Sequence, residues 1–189
     1  MSILPTNSVC ILTDSSAQFP ITFPGQEAVC VLPVQFALNG EEQSSQQTLK
    51  VEDFPKTATQ ESSPCFSTNN PKVMQRILIE ISQRCHEIIA ILSPATLCPT
   101  ITAIQQINAI RQKRLPLRVV DSLSLAFGLA YLVQEAALQV NQGLPPAEIV
   151  RLLQKQIPHI YTLVITQNLS YLQRAGILDP GQALVGEMN

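Results

Sequence analysis

The sequence predicts an α/β fold in which a mostly parallel, open sheet carries helices on both faces. Two observations predict it. Short β-branched runs alternate with longer segments of helical periodicity along the chain. Proline residues stand where several of the longer segments begin, as is common at the first position of a helix. Because strands separated by helices are joined by right-handed crossovers, we expect one sheet with both faces covered.

The first seventy residues contain two clear strand candidates and a long polar region. Val9 to Leu12 is the first apolar run, and Val29 to Leu32 is the second. Pro33 interrupts the second run and predicts a sheet edge or a bulge there. Further on, Asn39-Gly40 is a strong turn signal. From Glu41 to Asn70 the chain is mostly polar, and we expect an irregular excursion that is either functional or mobile.

The remaining chain alternates between helices and strands. Pro71 is well placed to begin a helix, apolar residues follow it at helical spacing, and Gly143 is a typical residue after a helix end. The predicted elements are, in order, a helix from Pro71 to about Cys85, a strand from Ile88 to Leu92, a helix from Pro99 to about Gln112, a strand from Arg118 to Val120, a helix from Leu123 to Gln142, a helix from Pro146 to Pro158, a strand from Tyr161 to Ile165 and a short helix from Leu169 to Arg174.

The composition excludes several classes of partner. Hydrophobic residues make up 46% and charged residues 14% of the chain, so we expect one globular α/β domain over residues 1–189. A net charge of -2 without any lysine or arginine block argues against nucleic acid or an anionic membrane as the main partner. No apolar run reaches the ~20 residues that span a bilayer, and residues 1–13 carry no positively charged leader. The sequence therefore predicts a cytoplasmic protein without membrane insertion.

The cysteines and histidines indicate neither a disulfide framework nor a metal site. The five cysteines are an odd number and contain no C-x-x-C pair. Cys10 and Cys30 lie in apolar runs, where a small buried hydrophobic residue is the expected role. His86 and His159 are too few and too far apart to predict a zinc site. We therefore expect no bound metal and no cofactor.

Polar side chains follow most of the predicted strands. They are hydroxyls, amides and carboxylates, with no histidine, lysine or arginine among them. This set suits the orientation of a polar head group by hydrogen bonds better than acid–base catalysis. Because ligands in open α/β sheets lie outside the carboxyl ends of the strands, we expect these residues along one edge. The residues are Asp14, Ser15, Ser93, Asp121 and Thr166.

Helix capping is the alternative interpretation of the same residues. Ser, Thr, Asn and Asp are the residue types that cap helix N-termini, each worth about 1 kcal/mol. Asp121 and Asn168 in particular each precede a predicted helix. A residue that caps a helix can also bind a ligand, because the N–H groups of the same helix end attract anions. Both interpretations stay open at this point.

Six motifs in order resemble those of the DegV family of bacterial lipid-binding proteins. ILTDSSAQFP resembles the family's opening I-V-T-D-S-x-A-D-L-P, and Val31 to Val34 is similar to its V-x-P-L strand. Ser67 to Pro71 looks like a diverged T-S-Q-P-x-P motif, and Leu97 to Thr100 falls where the family has L-S-G-T. The last two motifs are VVDSLSLAFGLAYLVQEAALQVNQG and YTLVITQNLSYLQRAGIL. The resemblance covers the chain from about Val9 to Leu178.

The resemblance implies a fatty-acid carrier with the DegV N-terminal fold. Members hold one long acyl chain in a buried tunnel, and some present it to a separate fatty-acid kinase, so these are the implied partners. Hydroxyls of the T-S-Q-P and L-S-G-T motifs hold the carboxylate, which implies that Ser67 and Cys98 approach each other. Carried over to this chain, the head-group residues are Ser67, Thr68, Asn69, Cys98 and Thr100, with Asp14 and Ser15 at the polar rim.

Three departures from the family pattern leave alternatives open. Cys98 and Pro99 replace the serine and glycine of L-S-G-T, and a thiol is a weak hydrogen-bond donor. Ile177 replaces an arginine. The chain ends at Asn189, whereas typical members continue into a second domain, which we expect to be absent here. The alternatives are an interaction module without ligand, and an enzyme that uses Cys98 as a nucleophile at a helix start.

The predicted helix from Leu123 to Gln142 carries a broad apolar stripe. One interpretation is that part of this stripe lines an apolar channel that runs from the polar rim. The other is that the whole stripe packs into the core. The two differ in whether an apolar groove stays exposed. The stripe consists of Leu125, Leu129, Leu132, Val133, Ala136 and Ala137.

Overall fold

The computed structural model describes residues 9–38, 41–43, 65–67, 71–110, 116–163, 169–174 and 178–179. Two compact units divide the chain. The first comprises Met1–Val34 and Thr68–Thr162, and the second comprises Gln35–Ser67 and Leu163–Asn189. Since a compact unit can be part of a larger domain, the single domain predicted over residues 1–189 stays a prediction, as does the absence of a second domain.

Seven strands and five α-helices lie in the described residues. The strands are β1 (Val9–Asp14), β2 (Val29–Leu32), β3 (Gln35–Leu38), β4 (Glu41–Gln43), β5 (Cys65–Ser67), β6 (Glu87–Leu92) and β7 (Leu117–Asp121). The helices are α1 (Pro71–Ser82), α2 (Thr100–Ile110), α3 (Ala126–Asn141), α4 (Pro146–Gln156) and α5 (Ser170–Arg174). Short 3₁₀ turns lie at Gln26–Ala28 and Ile157–His159. No described helix is long and apolar enough to cross a membrane.

The first unit is built on a four-stranded parallel sheet in the order β2-β1-β6-β7. The central pair, β1 and β6, places Cys10 opposite Ile88 and Leu12 opposite Ala90. β2 lies at one edge, and Pro33 follows it directly, as the sequence predicted. The α/β fold class with a parallel sheet is therefore confirmed.

Alternate residues along the central strands pack into two hydrophobic clusters, one on each face of the sheet. Leu12 and Leu92 belong to the cluster that contains residues of α1 and α2. Ile11 and Ile91 belong to the cluster that contains residues of α3 and α4. Side chains of a strand point alternately to the two faces, so continuous apolar runs are required where both faces are covered. The predicted helices on both faces are confirmed.

The second unit contains a three-stranded antiparallel sheet in the order β4-β3-β5. The irregular excursion predicted from Glu41 to Asn70 is wrong where it includes β4 and β5. Each of these strands has only three residues, and β4 reads Glu-Glu-Gln, so neither carries an alternating apolar signal. The predicted turn at Asn39-Gly40 lies outside the described residues.

The start of α3 and the strand predicted from Tyr161 differ from the structure. α3 begins at Ala126 rather than at Leu123, because Leu125 between them has an extended backbone (φ −126°, ψ 171°) that a continuous helix excludes. Its other end is as predicted, with Gly143 at a φ of 78°. The strand predicted from Tyr161 to Ile165 is wrong for its first three residues, which are exposed and form no strand. Its last two residues lie outside the described part of the chain.

Candidate functional site

The carboxyl ends of the four parallel strands lie along one edge of the first unit's sheet. Each neighbouring pair of strand ends is linked there by a side-chain hydrogen bond. Asp14 at the end of β1 bonds to Ser93, which follows β6. Ser15 after β1 bonds to Val34 after β2, and Asp121 at the end of β7 bonds to Ala95 after β6. We call this the carboxyl edge. The prediction that Asp14, Ser15, Ser93 and Asp121 share one edge is confirmed, and Thr166 lies outside the described residues.

Asp14 links the ends of β1 and β6, and its carboxylate is fully buried. Asp14 Oδ2 accepts the Ser93 backbone N–H at 2.8 Å and the Ser93 hydroxyl at 2.7 Å. Asp14 Oδ1 accepts the Ser16 backbone N–H at 3.0 Å and the Ser16 hydroxyl. Four donors satisfy both oxygens, which is what a buried carboxylate requires. Through its bonds to Ser93, Asp14 positions the loop after β6. Because both of its oxygens already accept hydrogen bonds, Asp14 is not expected to contact a ligand directly.

The Asp14–Ser93 link lies at the reversal of strand order. The chain adds β2 on one side of β1 and β7 on the far side of β6. Ligands of open α/β sheets bind in the crevice outside such a point. The structure therefore brings the polar residues of the first unit to the place where this fold class binds its ligands.

Ser15 is exposed at the carboxyl edge. Its backbone N–H donates to the carbonyl oxygen of Leu32 at 2.8 Å, and its Oγ accepts the N–H of Val34 at 2.8 Å. The hydroxyl hydrogen is not used in either bond. Within the described residues the Ser15 hydroxyl therefore keeps a donor for a ligand, whereas the hydroxyls of Ser93 and Ser16 donate to Asp14.

Asp121 links the end of β7 to the loop after β6 and does not cap a helix. Its Oδ2 accepts the Ala95 N–H at 3.2 Å, and its Oδ1 accepts the Leu123 N–H at 3.0 Å. The residue that precedes α3 is Leu125, which makes no side-chain capping bond. The capping alternative is therefore wrong for Asp121, and Asn168 lies outside the described residues.

Cys98 and Thr100 are paired at the start of α2. Cys98 Sγ and Thr100 Oγ1 lie 3.0 Å apart, and the two residues are only 4% and 5% exposed. The Cys98 N–H donates to the carbonyl oxygen of Pro94 at 2.9 Å. Only one of the two hydrogens can lie between the sulfur and the oxygen, so the pair keeps a second hydrogen in a buried setting, next to the first backbone N–H groups of the helix. The carried-over L-S-G-T position is thus a polar pair at a helix N-terminus.

The structure does not test whether the other carried-over head-group residues approach this pair. Ser67 is the last residue of β5 in the second unit. Thr68 and Asn69 lie outside the described residues. The predicted approach of Ser67 and Thr68 to Cys98 therefore stays a prediction.

Sequence reasoning missed a second polar pair, formed by Ser124 and Thr162. Their hydroxyl oxygens lie 2.6 Å apart, and Ser124 is 2% exposed. A Cβ at Gly128 would lie 2.1 Å from Ser124 Oγ, so this helix position requires glycine. A glycine inside an otherwise helical pattern was the available signal for such a close approach.

The apolar stripe predicted to line part of a channel is core. Leu129, Leu132, Val133, Ala136 and Ala137 are fully buried, and Leu125 is half-buried. The channel interpretation is therefore wrong for these residues. A different face of α3 is exposed: Phe127 is 62% and Tyr131 46% exposed. No group of three or more His, Cys, Asp or Glu that could hold a metal ion lies within the described ranges.

An open parallel sheet with a polar carboxyl edge at the reversal of strand order defines a class of α/β proteins that bind ligands at that edge. Comparison with known proteins identifies the family within this class. The family model described as "Uncharacterised protein, DegV family" matches residues 8–189. The chain belongs to the DegV family.

Individual relatives agree with this assignment. A DegV domain-containing protein of Caldanaerobacter subterraneus subsp. tengcongensis is 24% identical over 179 residues, which are 94% of this chain and 63% of the relative. The structure of a fatty acid binding DegV family protein from Streptococcus agalactiae has a TM-score of 0.78 and 21% identity, over 96% of this chain and 65% of that one. The fatty acid kinase B3 protein of Streptococcus pneumoniae, loaded with linoleic acid, has a TM-score of 0.66 and 16% identity, over 95% and 64%.

These likenesses establish the fold. The chain spans about two thirds of the length of the relatives it matches, 63% for the first of them. Three of the solved relatives, from Streptococcus agalactiae, Bacillus subtilis and Thermus thermophilus, are fatty acid binding proteins.

Proposed function

We propose that this chain is a non-catalytic, cytoplasmic fatty-acid-binding protein that presents its ligand to a fatty-acid kinase. The observation that carries the proposal is the hydroxyl-rich carboxyl edge in a DegV fold whose solved relatives bind fatty acids. Hydroxyls and helix N–H groups bind a carboxylate without changing its protonation. That property fits a carrier.

The proposed head-group contacts come from the two diverged motifs and from the rim. Thr100 and Cys98 contribute a hydroxyl and a thiol at the start of α2, where three backbone N–H groups also lack helical partners. Ser67, Thr68 and Asn69 contribute the second set of donors. Ser15 contributes the hydroxyl hydrogen that its bond to Val34 leaves unused. Asp14 acts on the ligand only through the loop that it positions.

Enzyme function is less well supported. The enzyme alternative requires Cys98 as a nucleophile, but its sulfur is buried and already bonded to Thr100. Reactive cysteines lie in partly exposed, electropositive surroundings instead. The interaction-module alternative does not involve Cys98. Ligand titration is the experiment that can exclude it.

The magnitude of the binding energy makes the proposal testable with this chain. Burial of an acyl chain of about 16 carbons is worth on the order of 12 kcal/mol before the costs of binding.

The test is calorimetric titration of the chain with a long-chain fatty acid. Thr100→Val keeps the side-chain shape but removes the hydroxyl, and we expect it to weaken binding about tenfold, the value of a hydrogen bond to a charged group. Thr102→Val is the matched control, because Thr102 is exposed on the same helix. No heat and no rise in Tm at saturating fatty acid would reject the proposal in favour of the interaction module.

A further inference from the structure

Cys10 and Cys85 form a disulfide, although the sequence pattern predicted none. Cys10 lies in β1, and Cys85 lies in the connection between α1 and β6. They are 75 residues apart in the chain, and their Cα atoms are 5.8 Å apart. Both belong to the hydrophobic cluster that contains residues of α1 and α2. Their pairing was not visible in the sequence because it follows from the adjacency of β1 and β6.

The disulfide holds the C-terminal end of α1 against β1. α1 ends at Ser82, three residues before Cys85, and its buried face consists of Met74, Leu78 and Ile81. Its other end, Pro71, directly follows the Ser67–Asn70 motif in the chain. One covalent bond therefore anchors the helix whose first residue follows the proposed head-group motif.

The structure accommodates the reduced cysteines as well as the disulfide. Cys85 Sγ lies 3.1 Å from the carbonyl oxygen of Ile81, an acceptor that a free Cys85 thiol can use. Cys10 lies among apolar side chains, where a free thiol packs as a small hydrophobic residue. Reduction therefore leaves neither sulfur in an unfavourable environment, and the folded state can exist in both redox forms.

The disulfide lies just beneath the surface. Gln83, Arg84 and His86 are exposed on either side of Cys85 in the chain, while Cys85 itself is 7% exposed. A small opening of this turn exposes the sulfur to a reductant. In the cytoplasm proposed above, disulfides are uncommon unless they have a redox role.

Cys30 is a free cysteine that packs against the same cluster, which makes it a candidate for an internal exchange partner. Burial raises the pKa of the Cys30 thiol, and Arg84 lowers it by a smaller amount. Exchange requires the thiolate, which is scarce at neutral pH when the pKa is raised. An external dithiol is therefore the more effective reductant.

We propose that the Cys10–Cys85 disulfide is a redox switch that orders the C-terminal part of α1, and that its reduction lowers fatty-acid affinity; the second part rests on the proposed function. One thiolate of a dithiol reductant attacks Cys85 Sγ, and the Cys10 thiolate leaves and takes up a proton. The second thiol of the reductant loses its proton and attacks the mixed disulfide. The Cys85 thiolate leaves, takes up that proton and becomes a thiol. Two electrons pass to the protein, and the reductant ends as a disulfide.

The experiment compares the oxidised chain with the chain reduced by dithiothreitol. Hydrogen exchange with peptide-level mass spectrometry measures the order of α1, and fatty-acid titration measures affinity. On reduction we expect exchange in the last turn of α1 to rise about tenfold or more, with little change in the centre of β6. We expect fatty-acid affinity to fall severalfold. Cys30→Ser is the matched control and should show the same redox response as the wild type.

The outcomes separate the two proposals. Equal exchange of α1 in both redox forms, or no Cys10–Cys85 cross-link in the air-oxidised chain, overturns the switch. Faster exchange with unchanged affinity overturns its link to the ligand. If neither form binds fatty acid, the proposed function fails and the link fails with it, while the exchange data still decide whether α1 is ordered by the disulfide.

Discussion

The two ends of β1 are joined to their surroundings by different chemistry. Toward its amino end, Cys10 is buried among apolar residues and is bonded covalently to Cys85. At its carboxyl end, Asp14 is buried among polar donors and is held by four hydrogen bonds. The side chains around Cys10 are apolar, so packing and the disulfide are the interactions that hold this end of β1 in place. A polar environment can exchange partners, which a ligand-binding edge requires.

The two ends of β1 therefore have different roles. The amino end stabilises the fold, and the carboxyl end carries the polar groups that position or bind a ligand. The amino half of β1 contributes to the two hydrophobic clusters and to the disulfide. The carboxyl end contributes the hydroxyl of Ser15 and the carboxylate of Asp14. Changes at the amino end should therefore alter stability first, and changes at the carboxyl edge should alter both stability and ligand binding.

The largest effect is expected from loss of the disulfide. Reduction should lower the free energy of unfolding by about 4.5 kcal/mol, because the chain-entropy model gives that value for a loop of 75 residues. Urea unfolding with and without dithiothreitol measures the difference, and Cys30→Ser provides the matched control. A urea midpoint that does not move on reduction would show that the disulfide does not stabilise the amino end of β1.

Asp14→Ala should have the next largest effect. It leaves the donors of Ser93 and Ser16 without their acceptor, and we expect a loss of about 3 kcal/mol in the free energy of unfolding. Asp121→Ala is the control at the same edge: Asp121 is half-buried with two acceptor bonds, so the expected loss is about 1 kcal/mol. Equal losses in the two variants would show that the burial of the Asp14 carboxylate does not increase its contribution to the free energy of unfolding.

Cys98→Ser should strengthen fatty-acid binding rather than weaken it. The hydroxyl is a better donor than the thiol, and the substitution matches the family's serine, so we expect affinity to rise about fivefold. Cys30→Ser should leave affinity unchanged, since Cys30 packs against a hydrophobic cluster and is not one of the proposed head-group residues. Calorimetric titration measures both variants, and weaker binding by Cys98→Ser would contradict a head-group role for this position.

The smallest effect concerns the pH dependence of Cys30. Burial raises the pKa of this thiol above its ordinary value of 9.0, so the folded protein keeps the proton to a higher pH than the unfolded chain does. Its contribution to stability is complete below pH 9 and is lost as pH rises through the folded pKa. Alkylation of native Cys30 should accelerate at a higher pH than alkylation of the urea-unfolded chain. Identical pH profiles would show that Cys30 is not effectively buried.

The parallel sheet was predictable because its strands carry their own signal. β1, β6 and β7 each contain an apolar run, and a parallel sheet that is covered on both faces requires such runs. β4 was not predictable, because three polar residues become a strand only through pairing with β3. Strand pairing of this kind is a tertiary property that local composition does not encode.

The candidate site was predictable in its residue types but not in its bonds. The sequence indicated that Asp14, Ser15, Ser93 and Asp121 share an edge, since parallel strands end together. It did not indicate that Asp14 is saturated while Ser15 keeps a donor, because those bonds join residues up to 79 positions apart. The Ser124–Thr162 pair and the Cys10–Cys85 disulfide were missed for the same reason.

The two links between β1 and its neighbours also determine register. A slip of β1 by two residues along β6 keeps every side chain on its own face, so the alternating apolar pattern alone does not oppose it. Such a slip moves the strand by about 6.6 Å, beyond the reach of a hydrogen bond or a disulfide. Asp14 cannot then meet Ser93, and Cys10 cannot meet Cys85. The molecule thereby selects one alignment of its central strands from a set that hydrophobicity would leave equivalent.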